Sequence, residues 1–323
     1  MTNNRNYKID VLRSIAIILI ILAHVNPPSI IFQLRTFDVP LITMLTAMSF
    51  VITYKPDQGF GSYFLKRFKR LIIPAWIFLT IFFIIFTLIN ITSHSDNIFN
   101  LKILLESYSL LSGIGYVWII RIFFIIAIFS PFLLKIVTHT SNFTNKIVLI
   151  IILFIIQKGL VLFSTDLTGL KYVIFNLIIA NSFGYLIVSL VGMYVFTQSE
   201  KHNYYFLLFF TIIFSIGLSS LEPVNSFKYP PSPYYLSYGI LVSIFLWILL
   251  SKKTIEQKLN KQIFVWLSKN SLNLYYWHIL PVYYLTNYTT NINWLFQFGF
   301  VFLFTILITL LQNKYFPNIF TIK

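Results

Sequence analysis

The chain has no cysteine and few charged residues, and each scarcity excludes a class of protein. Without cysteine there is no disulfide scaffold, no thiolate-bound zinc and no thiol nucleophile. Charged residues make up only 10% of the chain, whereas globular domains carry about 25%. So few charges could not cover a water-soluble fold of 323 residues, and a 58% hydrophobic content excludes disorder. The composition therefore indicates a polytopic membrane protein.

Long apolar runs predict membrane-spanning helices, because a helix needs about 20 apolar residues to cross a bilayer. Runs such as LIIPAWIFLTIFFIIFTLINI lack the alternation of a β-barrel strand. The ten candidate spans cover residues 9–25, 38–54, 71–92, 116–137, 146–164, 171–197, 204–221, 234–251, 271–288 and 293–313. We expect an all-α protein with about ten transmembrane helices, organised as a single integral-membrane domain over residues 1–323.

Acidic residues are also scarce: nine stand against 24 Lys and Arg, a formal net charge of +15. In a soluble protein this charge would indicate nucleic acid binding. With a cytoplasmic N-terminus, the inner segments hold 18 basic residues and the outer segments five, and Arg121 lies inside a span. This asymmetry follows the positive-inside rule along the whole chain. We therefore expect cytoplasmic N and C termini and no nucleic-acid partner.

Three ionisable residues lie in the first predicted span, where such residues are costly and usually functional. Arg13 and His24 are 11 residues apart, which on an α-helix places them within about 20° of the same face. Asp10 precedes Arg13 by three residues, so it can pair with it. The spacing predicts a polar stripe ending in an imidazole suited to taking and returning a proton. A helix-start ion pair and a buried structural histidine are the alternatives.

Three arginines are candidates for binding an anion. Arg67 and Arg70, in RFKR at the start of the third span, are three residues apart and would face one way. Guanidinium groups bind phosphate bidentately, although ordinary anchoring on anionic headgroups is the alternative. Arg121 lies inside the fourth span, so it either snorkels outward or faces a polar interior.

Two aromatic stretches are candidates for binding a sugar. The stretch EPVNSFKYPPSPYYLSY precedes the eighth span on the predicted outer side, and an interfacial aromatic belt is its alternative reading. Its candidate residues are Glu222, Tyr229, Tyr234 and Tyr235, with Lys228 as a further nearby polar group. In LYYWHILPVYY of the ninth span, His278 is a weaker candidate, with a packed histidine as the alternative. No metal cluster and no nucleotide-binding glycine loop indicates a bound cofactor.

Together these motifs resemble the acyltransferase-3 family of membrane O-acyltransferases. IDVLRSIAIILIILAH resembles the family's opening signature, a basic residue, ten residues and a histidine, which falls on Arg13 and His24. RFKR is similar to the family's Arg-x-x-Arg on Arg67 and Arg70, and VWIIR to its Trp-Phe-x-Arg on Arg121. The resemblance covers nearly the whole chain.

The resemblance has two departures. Thr46 and Ala47 stand where the family usually has Ser-Gly, so close helix packing there is in question. Ile122 stands where an acid often follows the fourth-span arginine, which removes a partner for Arg121.

The resemblance implies an acyltransferase of the bacterial plasma membrane. An acyl group, usually acetyl, would pass from cytoplasmic acyl-CoA to a hydroxyl of a cell-surface or lipid-linked glycan, as in capsule or lipopolysaccharide O-acetylation. His24 would act as general base or transient acyl carrier, and Arg13, oriented by Asp10, would position the donor or stabilise negative charge. The donor would be bound by Arg67, Arg70 and Arg121. The glycan would be bound by Glu222, Tyr229, Tyr234, Tyr235 and His278. Acetyl-CoA would be a substrate, with membrane lipids as further partners and no bound cofactor or metal.

A transporter or exporter of a lipid-linked glycan is the alternative function, with the same charges lining a conduit. Exporters are typically built from duplicated halves. No duplication is evident in this sequence, which weakens that reading.

Overall fold

The computed structural model describes residues 5–93, 99–259, 261–290, 292–317 and 319–320, without the side chains of residues 220, 253, 256 and 257. In these residues all regular structure is helical, which confirms the all-α class. In chain order the helices are α1 (Tyr7–Ala23), α2 (Ser29–Leu34), α3 (Asp38–Thr53), α4 (Phe60–Thr92), α5 (Leu101–Tyr108), α6 (Trp118–His139), α7 (Phe143–Thr165), α8 (Gly169–Ile174), α9 (Asn181–Thr197), α10 (Glu200–Gly217), α11 (Pro233–Leu249), α12 (Lys253–Leu259), α13 (Gln262–Lys269), α14 (Ser271–Tyr288) and α15 (Trp294–Tyr315). A π-helical turn, Phe175–Ala180, joins α8 to α9.

Six helical stretches among the described residues are long and apolar enough to cross a membrane, so the protein is a multi-pass helical membrane protein. They are Ser29–Thr53, Phe60–Thr92, Trp118–His139, Phe143–Thr165, Gly169–Thr197 and Trp294–Tyr315. The other four predicted spans correspond to α1, α10, α11 and α14, helices of 17 or 18 residues. The number ten and the cytoplasmic termini stay predictions.

The chain divides into two compact units. Unit 1 comprises Met1–Tyr54 and Phe129–Ser271, and unit 2 comprises Lys55–Ile128 and Leu272–Lys323. Helix α6 therefore contributes its first half to unit 2 and its second half to unit 1.

In unit 1, α3 is packed by α1, α9 and α11, and glycines in its partners allow close approach. A Cβ on Gly192 of α9 would lie 2.7 Å from Met44 Cγ and 2.8 Å from the Met44 carbonyl oxygen. A Cβ on Gly239 of α11 would lie 2.3 Å from Pro40 Cγ. Ala47 itself is fully buried in α3. The tight packing of α3 thus comes from glycines on the facing helices.

Unit 2 has an aromatic core between α4 and α14. Phe78 stacks on Tyr276, with ring centroids 5.2 Å apart, and Tyr283 packs edge-on against Phe82 at 4.9 Å. Offset and edge-to-face pairs of this kind contribute about 0.5–1.5 kcal/mol each beyond their buried area. Trp277 donates from Nε1 to Oε1 of Gln312 at 2.6 Å, which joins α14 to α15. Aromatic packing therefore holds this unit's long helices together.

Replacing Gly192 by alanine tests the α3–α9 packing. Because the nearest atoms include the Met44 backbone, we expect a destabilisation of about 1–3 kcal/mol. The matched control is Gly159→Ala in α7, where nothing lies within 4 Å of the added Cβ; that change should be neutral or stabilising by up to about 1 kcal/mol. The measurement is the unfolding free energy in detergent micelles. Equal effects of the two substitutions would contradict the packing described above.

Candidate functional site

The carboxylate of Asp10, 5% exposed on α1, is held by Arg5. Arg5 donates from Nε to Oδ2 at 2.5 Å and from Nη2 to Oδ1 at 2.9 Å. The expected pairing of Asp10 with Arg13 is therefore wrong. Asn6 caps α1, accepting from the backbone N–H of Lys8, so Arg5 lies outside the helix and can reach back over its first turn.

This pair belongs to a set of contacts that fix the start of α1 in unit 1. Arg5 also donates to the carbonyl of Val265 on α13 at 3.2 Å. Ser14 donates to the carbonyl of Phe264 at 2.9 Å, and Lys8 donates to the hydroxyl of Ser251 at 2.7 Å. Asp10 thus contributes to the docking of α1 on α13.

Arg13 is half-buried and points from α1 towards α3. Its Nη2 donates to the hydroxyl of Ser49 at 2.6 Å. Ser49 in turn donates to the carbonyl of Leu45 at 2.7 Å, so its oxygen is oriented by its own helix. Ser49 was missed from the sequence, where a serine in an apolar helix gave no separate signal. The contact holds the guanidinium between two helices of unit 1.

His24 is the C-cap residue of α1 and is half-buried. Its backbone N–H donates to the carbonyl of Ile21 at 3.1 Å, and its φ and ψ of −97° and 6° lie outside the helical range. His24 therefore lies at the very end of α1 rather than within it. Eleven residues at the helical rise separate His24 from Arg13 by about 16 Å along α1.

Arg67 and Arg70 lie three residues apart on the uninterrupted helix α4 of unit 2. Arg67 is half-buried, with its guanidinium carbon 4.9 Å from the ring centroid of Tyr63, whereas Arg70 is exposed. Tyr63 donates its hydroxyl hydrogen to the carbonyl of Ala127 on α6 at 2.6 Å. Among the described residues neither guanidinium lies within 4.0 Å of a carboxylate oxygen.

Arg121, on α6 of unit 2, is 7% exposed, so it does not snorkel outward. Its Nη1 donates to the carbonyl of Leu110 at 2.6 Å and to that of Leu111 at 3.1 Å. Its Nε and Nη2 are buried and have no hydrogen-bond partner among the described residues. The neighbouring Ile122 supplies no counter-charge. The buried guanidinium therefore has two nitrogens, carrying three N–H groups, without an acceptor among the described residues.

The register of α4 against α6 relates these arginines. Besides the bond from Tyr63 to Ala127, Phe68 packs edge-on against Phe124 with centroids 5.9 Å apart. The two helices run antiparallel, so Arg121, one turn before Phe124, lies close to the level of Arg70. Arg121 thus lies on a helix that contacts the helix carrying Arg67 and Arg70.

The candidate sugar-binding residues of the segment before α11, predicted to lie on the outer side, differ in accessibility. Glu222 is exposed and Tyr229 is 52% exposed. Tyr234 is partly buried because its ring stacks on Phe214, with centroids 5.4 Å apart. Tyr235 has no exposed surface. Tyr229 and Glu222 are thus the candidates of this segment with exposed surface, and Tyr235 cannot stack on a sugar in this conformation.

Tyr235 and His278 occupy packed interiors. The hydroxyl of Tyr235 lies 3.4 Å from that of Tyr185. His278 has no exposed surface, and its Nδ1 is hydrogen-bonded to the carbonyl of Tyr275 on its own helix. These contacts match the packed-histidine alternative for His278. Within the described residues, no three His, Asp or Glu side chains are grouped as a metal site requires.

Comparison with known proteins adds one match. A family model described as an acyltransferase domain matches residues 6–312. No curated protein and no solved structure matches the chain. The matched stretch contains every candidate residue from Asp10 to His278.

A double-mutant cycle tests which arginine Asp10 pairs with. We expect Arg5→Gln and Asp10→Asn to show a coupling of at least about 1 kcal/mol in unfolding free energy, because the pair is bidentate and mostly buried. The matched cycle of Asp10→Asn with Arg13→Gln should give less than about 0.5 kcal/mol. Stronger coupling to Arg13 than to Arg5 would contradict the structure.

Proposed function

Because the chain belongs to the acyltransferase-3 family, we propose that it transfers an acyl group, preferably acetyl, from cytoplasmic acyl-CoA to a hydroxyl of a cell-surface or lipid-linked glycan. The family match is the observation that carries acyl transfer itself. The acetyl donor, the glycan acceptor and a bacterial plasma membrane are the finer parts of the proposal. The match gives no support to the exporter alternative.

The donor part of the proposal rests on the arginines of unit 2. Coenzyme A is polyanionic, and Arg67, Arg70 and Arg121 have no carboxylate partner among the described residues. A buried charge without compensation costs several kcal/mol, so an anion that reaches Arg121 would be bound strongly. Guanidinium groups also match phosphate geometry better than ammonium groups do. We therefore assign the donor's phosphates to these three side chains.

The chemical step is assigned to α1. His24 would take the proton from the acceptor hydroxyl while the hydroxyl oxygen attacks the thioester carbonyl carbon. The new C–O bond forms, the C–S bond breaks, and the coenzyme A thiolate leaves and takes up the proton. Arg13 would stabilise the negative charge that develops on the carbonyl oxygen. Transient acylation of His24, followed by transfer to the hydroxyl, is the other route open to the same residue.

Asp10 has a different role in this proposal from the one expected. Its carboxylate is occupied by Arg5 rather than by Arg13. It would therefore act as a positioning residue that anchors the start of α1, and Ser49 would orient Arg13 in its place.

Removing the inner arginines tests the donor site. We expect Arg67→Ala combined with Arg70→Ala to weaken acyl-CoA binding at least about tenfold, because each charge-assisted contact contributes about 1.5–3 kcal/mol. Lys66→Ala is the matched control, since Lys66 is an exposed cation in the same turn. Affinity is measured by titrating acyl-CoA into the purified protein in nanodiscs. Unchanged affinity of the double variant for acyl-CoA would contradict the donor site and would favour the alternative that both arginines only anchor the helix at the membrane surface.

Replacing His24 by alanine tests the catalytic assignment. We expect the rate of glycan acetylation to fall about 10²–10⁴-fold, the usual contribution of general acid–base catalysis. His139→Ala is the matched control because His139 is exposed at the end of α6. Acetyl content is measured by NMR of surface glycan from cells with equal membrane levels of each variant and from a deletion strain. Normal acetylation in His24→Ala, with failed glycan export in the deletion, would contradict the enzyme assignment.

A further inference from the structure

Two segments of unit 1 that carry different parts of the proposed function are joined to each other. The α2 segment, residues 25–37, follows directly after His24. The segment before α11, residues 221–232, carries Glu222 and Tyr229. The contacts between the two segments therefore bear on where the candidate acceptor residues lie relative to the candidate base.

Three long-range hydrogen bonds tie the α2 segment to α11 and to the segment before it. Thr36 donates from Oγ1 to Oδ1 of Asn225 at 3.0 Å, and the backbone N–H of Asn225 donates to Oε1 of Gln33 at 3.0 Å. Tyr238 of α11 donates its hydroxyl hydrogen to the carbonyl of Leu34 at 2.8 Å. Asn225 is thus held by the α2 segment through both its side chain and its backbone.

The end of the α2 segment is itself fixed to the start of α3. Arg35 and Asp38 form a buried ion pair in which Nη1 lies 2.5 Å from Oδ2. The other carboxylate oxygen of Asp38 accepts from the backbone N–H of Val39 at 2.8 Å. Thr36 lies between the two partners in the chain and has no exposed surface. Because a buried hydroxyl without a partner is costly, its bond to Asn225 is expected to persist.

The connection from His24 to the α2 helix is short and stiff. Residues 25–28 are Val-Asn-Pro-Pro, and the pyrrolidine ring of each proline fixes its φ. Val25 is 1% exposed and Pro27 is buried, so the connection is packed against the protein. The position of the α2 helix is thereby set relative to the end of α1.

The connection from Asn225 to Tyr229 is equally short. Tyr229 follows Asn225 by four residues, and backbone hydrogen bonds close the turn between them. The N–H of Lys228 donates to the carbonyl of Asn225 at 3.2 Å, and that of Ser232 donates to the carbonyl of Phe227 at 2.9 Å. A displacement of Asn225 would therefore be carried to the ring of Tyr229, which is 52% exposed.

We propose that Gln33, Thr36 and Asn225 are positioning residues for the acceptor. They hold the ring of Tyr229 in register with the imidazole of His24, so that a glycan bound at the ring presents its hydroxyl to the base. This role rests on the proposed function, because a general base must lie within hydrogen-bond reach of the hydroxyl that it deprotonates. A displacement of about 1 Å at such a site can lower a rate about 10²-fold.

Substitutions of Thr36 in the full chain, reconstituted in nanodiscs, test this role. Thr36→Val keeps the shape of the side chain and removes its hydroxyl, whereas Thr36→Ser keeps the hydroxyl. Thr43→Val is the matched control, because Thr43 is equally buried in α3 and donates to the carbonyl of Pro40 in its own helix. Transfer of radiolabelled acetyl from acetyl-CoA to surface glycan purified from a deletion strain gives kcat, and titration gives the affinity for acetyl-CoA.

We expect Thr36→Val to lower kcat at least about tenfold, with the affinity for acetyl-CoA unchanged. Thr36→Ser and Thr43→Val should keep the kcat of the wild type. Asn225→Ala should lower kcat to a similar extent as Thr36→Val. The double variant should lose little more than either single variant, because both substitutions remove the same hydrogen bond.

A distance measurement tests the junction without any reaction. Because the chain has no cysteine, spin labels can be attached to Ile30→Cys and Leu221→Cys alone, at positions that are 72% and 94% exposed. Pulsed EPR gives the distribution of distances between the two labels. We expect a narrow distribution that broadens in Thr36→Val and stays narrow in Thr36→Ser and Thr43→Val.

A normal kcat in Thr36→Val, or a loss of kcat that Thr36→Ser shares, would overturn the inference. An unchanged label distance distribution in Thr36→Val would overturn it as well. In each of these cases the wild type still transfers acetyl to the glycan. A wild type that transfers no acetyl would instead refute the proposed function and the positioning role with it, so the two failures are distinguishable.

Discussion

Positive charge that is not balanced within the protein is the constraint on which this account depends. The chain has nine acidic residues for 24 basic ones. In unit 1, Asp10 and Asp38 are already occupied by arginines, at the start of α1 and of α3. Arg121 is buried with no carboxylate oxygen within 4.0 Å among the described residues. Since burial of a lone cation is costly, we propose that an anionic group of the donor balances this charge.

The fold contributes by holding several candidate groups on packed helices. In unit 1, contacts with α13 fix the start of α1, and Ser49 holds Arg13 against α3. The close packing of α3 on α9 through Gly192 makes that support stiff. In unit 2, the aromatic core between α4 and α14 fixes the helix that carries Arg67. Side chains supported in this way keep their geometry when a ligand exchanges.

The sequence was sufficient where the determining forces are local. Apolar runs predicted the helices, and the spacing of Arg13 and His24 indicated the family, because both signals are carried by short stretches. The partner of Asp10 was mispredicted because Asn6 caps the helix and turns Arg5 back, a detail that helical spacing does not contain. The other differences between the predicted and the observed site are caused by tertiary packing. Tyr235 falls in the first turn of α11 and is buried against Tyr185 of α9.

The environment of Arg121 also could not be predicted from the sequence. Its acceptors are the carbonyls of Leu110 and Leu111, exposed by a turn in which Leu110 has a φ of 57° and Gly113 a φ of 55°. Partners that are ten and eleven residues distant across an irregular turn leave no periodic signal. The accessible ring of Tyr229 and the burial of Lys228 likewise depend on how the segment before α11 folds onto α9.

The most direct test of the account is photolabelling with an acyl-CoA analogue whose acyl end carries a photoreactive group, followed by peptide mapping. We expect the label to fall on the end of α1 that carries His24, and excess coenzyme A or the loss of Arg67 and Arg70 to abolish it. Labelling that never reaches α1, or that persists without those arginines, would contradict the claim that unbalanced cations deliver the donor to His24.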